Sequence, residues 1–176
     1  MGHMIELSAT IPGVRLFDLA VFADERGSFC EAFKASRVGP GPWVQWNVSR
    51  SRAGVIRGLH LHRHQVDYWH IVSGSAMAAL VDRRKDSPTF GRSQCIPLNG
   101  DRPQTLLIPP GVLHGFRADT DVVLMYLLDR EYDPADELGV QWNDPELRLP
   151  AEWYAGKGVT LSPRDAKAPM LGDSGL

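Results

Sequence analysis

Short runs of β-branched and aromatic residues, each closed by glycine, proline, aspartate or asparagine, follow one another from Val14 to Asp129. Such spacing leaves little room for long helices and predicts an all-β sandwich or barrel. The expected strands are Val14–Phe17, Gly27–Phe33, Trp43–Ser49, Val55–Leu61, Tyr68–Ser73, Ser75–Asp82, Gly91–Pro97, Gln104–Ile108, His114–Ala118 and Val122–Asp129. Ser73-Gly74 and Asn99-Gly100 read as tight turns, and Pro109-Pro110-Gly111 as a firm strand end. Ala135–Leu138 reads as a single helical turn. Beyond Asp144, the Leu149-Pro150, Ser162-Pro163 and Ala168-Pro169 pairs argue against long regular elements, so loops and a short helix are expected to wrap the barrel.

A chain of 176 residues suits one domain, 1–176, with Met1–Met4 read as a cloning remnant because of its second methionine. The formal net charge of -2 indicates no nucleic-acid partner. No apolar run reaches membrane-spanning length, and no membrane partner is expected. Two cysteines do not make a disulfide framework, which points to a reduced, cytoplasmic setting.

Chemistry is concentrated in Gly54–Gly74, which holds four of the six histidines together with Arg57, Gln65 and Asp67. Buried polar groups need partners, so this density marks an active-site wall or a metal site. Residues two apart on a strand share a face, so His60, His62 and His64 are expected to project together. The spacing is Gly54, five residues, His60, one residue, His62, four residues, Asp67, six residues, Gly74. It resembles the first motif of the cupin superfamily, with Asp in place of the usual Glu. Pro109–His114 resembles the second motif. That resemblance implies a divalent metal on His62, Asp67 and His114, with or without His60; imidazole plus carboxylate suits Zn, Fe, Mn or Ni.

A broader resemblance runs from about Arg15 to Leu171. It is carried by D-E-R-G-S-F at Asp24–Phe29 with Glu31, Q-W-N-V-S at Gln45–Ser49, and G-V-I-R-G-L-H at Gly54–His60. Further along come D-S-P-T-F-G at Asp86–Gly91, I-P-P-G-V-L-H-G-F at Ile108–Phe116 and L-M-Y ending at Tyr126. E-Y-D-P-A-D-E at Glu131–Glu137, W-N-D-P at Trp142–Pro145 and L-S-P-R-D-A-K-A-P at Leu161–Pro169 complete the set. Together these strings are similar to the nucleotide-diphospho-4-keto-sugar 3,5-epimerases, themselves cupins. The resemblance implies a cupin double-stranded β-helix (jelly roll) with a short C-terminal helical or loop segment. It also implies a homodimer in which an N-terminal strand reaches the partner, and no cofactor.

The implied substrate is a nucleotide-diphospho-4-keto-6-deoxy sugar of rhamnose or antibiotic deoxysugar synthesis, inverted at C3, C5 or both. Inverting a carbon beside a ketone needs a base, stabilisation of an enolate, and an acid on the opposite face. The resemblance assigns His60 as base, Asp165 as the carboxylate that orients it, and Tyr126 as acid. It places Arg26 and Arg57 on the diphosphate, and Glu31, Gln45, Asn47, His114, Glu137 and Arg164 around nucleotide and sugar. The chain departs from the family at two charged positions. The family's Q-x-K sets a lysine beside the sugar keto oxygen, whereas Gln65-Val66-Asp67 sets a carboxylate there. The lysine of the family's L-Y-K is Leu127 here. Two other readings therefore stay open: a metal-dependent cupin isomerase, dioxygenase or lyase using His60, His62, Asp67 and His114, and a non-catalytic sugar-nucleotide-binding cupin. If His60 binds a metal it is not a free base; the sequence leaves both roles open.

Overall fold

A computed structural model describes residues 5–176 except 8, 40 and 157. The proposed remnant Met1–Met4 lies outside the described residues. Two antiparallel sheets stack face to face. The strands, in chain order, are β1 (Ile5–Leu7), β2 (Arg15–Asp18), β3 (Val21–Asp24), β4 (Gly27–Cys30), β5 (Gln45–Ser51), β6 (Ile56–His62), β7 (Asp67–Ser73), β8 (Ser75–Asp82), β9 (Ser93–Asn99), β10 (Gln104–Ile108), β11 (Val112–Ala118), β12 (Val122–Leu128) and β13 (Glu137–Gly139). One sheet has the order β1-β2-β10-β7-β12-β5, the other β13-β6-β11-β8-β9. β7 and β8, joined by a tight turn, lie in different sheets, and the strands within each sheet pair antiparallel. This is the cupin jelly roll.

Apolar residues of both inner faces, including Trp69, Ile71, Leu80, Leu106, Phe116 and Leu124, fill the space between the sheets. A second core lies on the other face of the five-stranded sheet. Here Leu59, Leu61, Val81 and Leu113 meet Leu147, Leu149, Trp153 and Leu171 of the C-terminal tail. β11 is accordingly buried at every position, as expected for a strand covered on both sides. The tail is irregular, as its prolines require, with short 3-10 turns at Pro145–Leu147, Ala151–Tyr154, Asp165–Lys167 and Leu171–Asp173. Asp144 anchors it, accepting from the Glu146 and Leu171 backbone N–H groups at 2.7 and 2.6 Å. A third cluster packs Phe33, Trp43 and Tyr68 edge to face beside the four-residue helix Ala35–Val38.

Two glycines hold β6 and β11 in register at the site. A Cβ on Gly58 would stand 2.8 Å from the Gly115 Cα, and one on Gly115 would stand 2.6 Å from the Arg57 carbonyl. The glycines of R-G-L-H and H-G-F thus let two backbones approach, which sets His60 opposite His114.

Two expectations need correction. Ala135–Leu138 is not a helical turn: a turn precedes Glu137, and Glu137–Gly139 is a strand. It pairs with the edge of β6, which outweighs the local helix preference of Ala-Asp-Glu-Leu. The stretch Gly27–Phe33 stops being strand after Cys30, because β4 pairs only with β3, in a separate hairpin.

Candidate active site

The two sheets wall a cavity of about 580 Å³. Arg57, His60 and His62 enter it from β6, His114 from β11 and Glu137 from β13. Gln45 and Asn47 of β5, Asp67 and Trp69 of β7 and Tyr126 of β12 line it from the opposing sheet, and Ser162, Arg164 and Asp165 from the tail. Alternation shapes the selection: on β5, Gln45, Asn47 and Ser49 line the cavity while Trp46 points outward, 61% exposed.

His60 lies between two carboxylates. Its Nε2 is 2.8 Å from Asp165 Oδ1, and its Nδ1 is 3.1 Å from Glu137 Oε1. Asp165 is buried, and its own N–H donates to Ser162 Oγ, so S-P-R-D forms a turn that aims the aspartate at His60. Burial pushes the Asp165 carboxyl up, but the hydrogen bond and charge of His60, with Ser162 and the Gly58 N–H, hold it below the usual range. Glu137 is shifted the same way: burial raises it, while Tyr132 Oη–H, Arg164 and His60 more than offset that. Only a doubly protonated ring donates to both carboxylates. Catalysis by His60 as a base therefore requires one of them to step aside, and Glu137, beside the open cavity, is the one not tied into a turn.

Tyr126 projects from β12 across the cavity from β6 and hydrogen-bonds with Asn47. Burial, then the charge of Asp67, raises its pKa, which keeps its proton available for donation. Arg57 is braced by Ser51 Oγ and the Arg50 carbonyl. Gln45 donates to Asn47 Oδ1 and accepts from the Tyr132 N–H. Arg164 pairs with Glu137.

His62, Asp67 and His114 form a second, deeper group, at 6%, 3% and 5% exposure. One nitrogen of each histidine and one oxygen of Asp67 all lie within 4.8 Å of one another, a metal-capable cluster among the described residues. His60, engaged by Asp165 and Glu137, stands outside it, so the two roles open to His60 separate. His114 Nδ1 faces the Val112 carbonyl at 2.9 Å, and burial pushes its pKa down to about 4, so the ring is neutral.

Some expected positions lie elsewhere. His64 is exposed beyond the end of β6, because the strand stops at His62; there the Asp136 carboxylate accepts the N–H groups of Arg63 and His64. Arg26 and Glu31 do not line the cavity. Arg26 pairs with Asp24 at the tip of the β3–β4 hairpin, and Glu31 pairs with Lys34 and Arg37. Tyr132 was not singled out, although it lies within E-Y-D-P-A-D-E; only the register of β13 shows that it supports Glu137.

Residues 8–173 match the family described as dTDP-4-dehydrorhamnose 3,5-epimerase. The dTDP-4-dehydrorhamnose 3,5-epimerase of Salmonella typhimurium is 34% identical over 177 residues, covering 96% of each chain. The Legionella pneumophila dTDP-6-deoxy-D-glucose-3,5-epimerase, solved with dTDP-4-keto-L-rhamnose, superposes with a TM-score of 0.91 at 33% identity, covering 97% of this chain and 94% of that one. A 3'-monoepimerase of Streptomyces bikiniensis, solved with dTDP-quinovose, gives 0.87 at 31%, covering 93% and 86%.

Proposed function

The chain belongs to the dTDP-4-dehydrorhamnose 3,5-epimerase family and is an epimerase, and we propose that it inverts a carbon beside the ketone of a dTDP-linked 4-keto-6-deoxy sugar. One observation carries the catalytic reading: His60, backed by buried Asp165, and Tyr126, with its raised pKa, project into one cavity from opposing sheets. His60 removes the proton alpha to the ketone as Glu137 leaves Nδ1, and Asp165 supports the imidazolium that results. The electrons move to the ketone oxygen as an enolate. Tyr126 Oη–H then returns a proton from the other face, and opposite-face return is what makes the step an inversion. Arg57 sits at the cavity wall where a planar guanidinium suits a diphosphate. His114, Gln45, Asn47, Glu137 and Arg164 supply the polar surface for nucleotide and sugar.

A homodimer belongs to the same reading. The β3–β4 hairpin displays Phe22 and Phe29 at 47% and 63% exposure around Arg26, and β5 displays Trp46 and Val48. A second copy covering these faces would bury the apolar surface and give Arg26 and Glu31 a route to a cavity that their own chain does not offer. Sedimentation equilibrium checks the dimer. We place the enzyme in the cytoplasm, where Cys30 and Cys95, both unpaired, stay reduced.

The test of the reaction is solvent exchange. Wild-type protein given a dTDP-4-keto-6-deoxy sugar in D2O should wash deuterium into the carbon beside the ketone, and His60→Ala should abolish it. No exchange by the wild type with any such sugar would overturn the proposal.

A further inference from the structure

We propose that His62, Asp67 and His114 bind one divalent transition-metal ion in the wall of the cavity. The inference goes beyond the epimerase reading and is decided by binding, not by turnover.

Asp67 is the starting point. It is a carboxylate at 3% exposure, and among the described residues its ion-pair partners are only His62 and His114. A buried carboxylate needs a cation close by. Each histidine Nε2, however, stands 3.9 Å from the same atom, Asp67 Oδ2. That is too long for a proton to bridge, since charge-assisted N–H···O bonds close to about 2.7–2.9 Å. It is near the separation that a shared ion imposes: donors about 2.1 Å from a tetrahedral metal stand roughly 3.4 Å from one another.

The tautomer of His114 sharpens the point. A carbonyl oxygen only accepts, so Nδ1 donates to Val112, and Nε2 is the ring nitrogen left to face Asp67. An ion seated between Nε2 and Oδ2 would bridge that 3.9 Å gap.

The surroundings hold the donors as a metal site requires. The Val112 carbonyl fixes His114 from behind, and Trp69 packs on its ring edge to face at 5.4 Å. Gln65 Nε2 donates to Asp67 Oδ2 at 3.0 Å, orienting the carboxylate. The short turn Arg63–Val66, clamped by Asp136, brings the start of β7 back beside the end of β6. Two imidazoles and one carboxylate leave coordination positions open toward the cavity, a donor set that suits Fe(II), Zn, Mn or Co. Such an ion would place positive charge where Asp67 otherwise leaves the wall negative.

The test uses full-length protein stripped with a chelator and titrated with CoCl2 alone, read by visible d–d absorption and by metal content after dialysis. One equivalent of cobalt per chain is expected. Asp67→Ala and His62→Ala should each weaken binding by at least about 100-fold, and Gln65→Leu by about 10-fold. His64→Ala and His60→Gln should leave it unchanged, because His64 is exposed and His60 is held by Asp165 and Glu137. Asp67→Asn, which keeps the side-chain shape, replaces Asp67→Ala if circular dichroism shows that variant unfolded. No saturable absorption, or binding that survives loss of the Asp67 charge, overturns the proposal. Loss of binding in His60→Gln overturns the three-residue donor set. Absence of epimerisation with intact cobalt binding would count against the epimerase reading alone.

Discussion

Asp165→Asn separates a supporting carboxylate from a merely structural one. The bond it alters runs from His60 Nε2 to Asp165 Oδ1 at 2.8 Å, with Asp165 at 7% exposure. Asparagine keeps the shape and can still accept through its amide oxygen, so what is lost is the charge. A hydrogen bond to a charged group contributes about 1.5–3 kcal/mol, which converts to roughly 10- to 150-fold in rate. In serine proteases the equivalent change costs about 10⁴-fold. The smaller figure is expected here because the Glu137 carboxylate, displaced from Nδ1 but kept near the ring by Tyr132 and Arg164, still offers its charge to the imidazolium. The assay is the initial rate of deuterium wash-in from D2O, with the melting temperature as a control for folding. The fall should be in kcat, with KM little changed, since Asp165 contacts the base rather than the sugar. A rate within twofold of wild type would refute the argument, and so would a loss as complete as that of His60→Ala. The first would mean that the Asp165 charge is irrelevant to proton removal, the second that Glu137 gives no support.

Tyr126→Phe should leave deuterium wash-in largely intact while blocking completed inversion, because only the donor proton is removed; product stereochemistry by NMR decides it. Trp153→Ala should lower stability by about 3–5 kcal/mol in urea titration. Trp153 is fully buried where the tail packs on the five-stranded sheet, and its indole N–H donates to the Trp142 carbonyl.

Several elements were legible because punctuation bounded them. Ser75–Asp82 and Gln104–Ile108 fall where the sequence placed them, between Gly74 and the turn after Asp82, and before Pro109-Pro110-Gly111. β3 was missed because Val21–Asp24 is short and exposed, so it has no buried face to impose alternation. β13 was misread because its strand character comes from β6, not from its own residues. The tail's irregularity could be read from its prolines, but its role as the cover of a second core could not, since that depends on which face of β6, β8 and β11 the sandwich leaves open. At the site, the same-face rule brought His60 and His62 together correctly. It failed at His64 because it presumes that the strand continues. Arg26 and Glu31 mark a different limit: a motif gives residue identity, whereas reaching a cavity depends on where the hairpin carries it.

The division of labour between His60 and His62 follows from charge, not from position along β6. Two residues apart on one face, both histidines meet carboxylates, but in different settings. Asp165 and Glu137 each have other donors, Ser162 and the Gly58 N–H for one, Tyr132 and Arg164 for the other. Their charges are met by these donors as well as by His60. Asp67 has no such reserve. Among the described residues its hydrogen-bond donor is the neutral Gln65 amide, and burial favours the neutral form of His114. A base placed beside Asp67 would be trapped by the need to offset that charge. A family lysine at this position would bring its own positive charge and need no partner, whereas an aspartate must draw a cation in. On the proposed reading, Asp67 leaves the roles of His60 and Tyr126 untouched and changes what the neighbouring wall would hold.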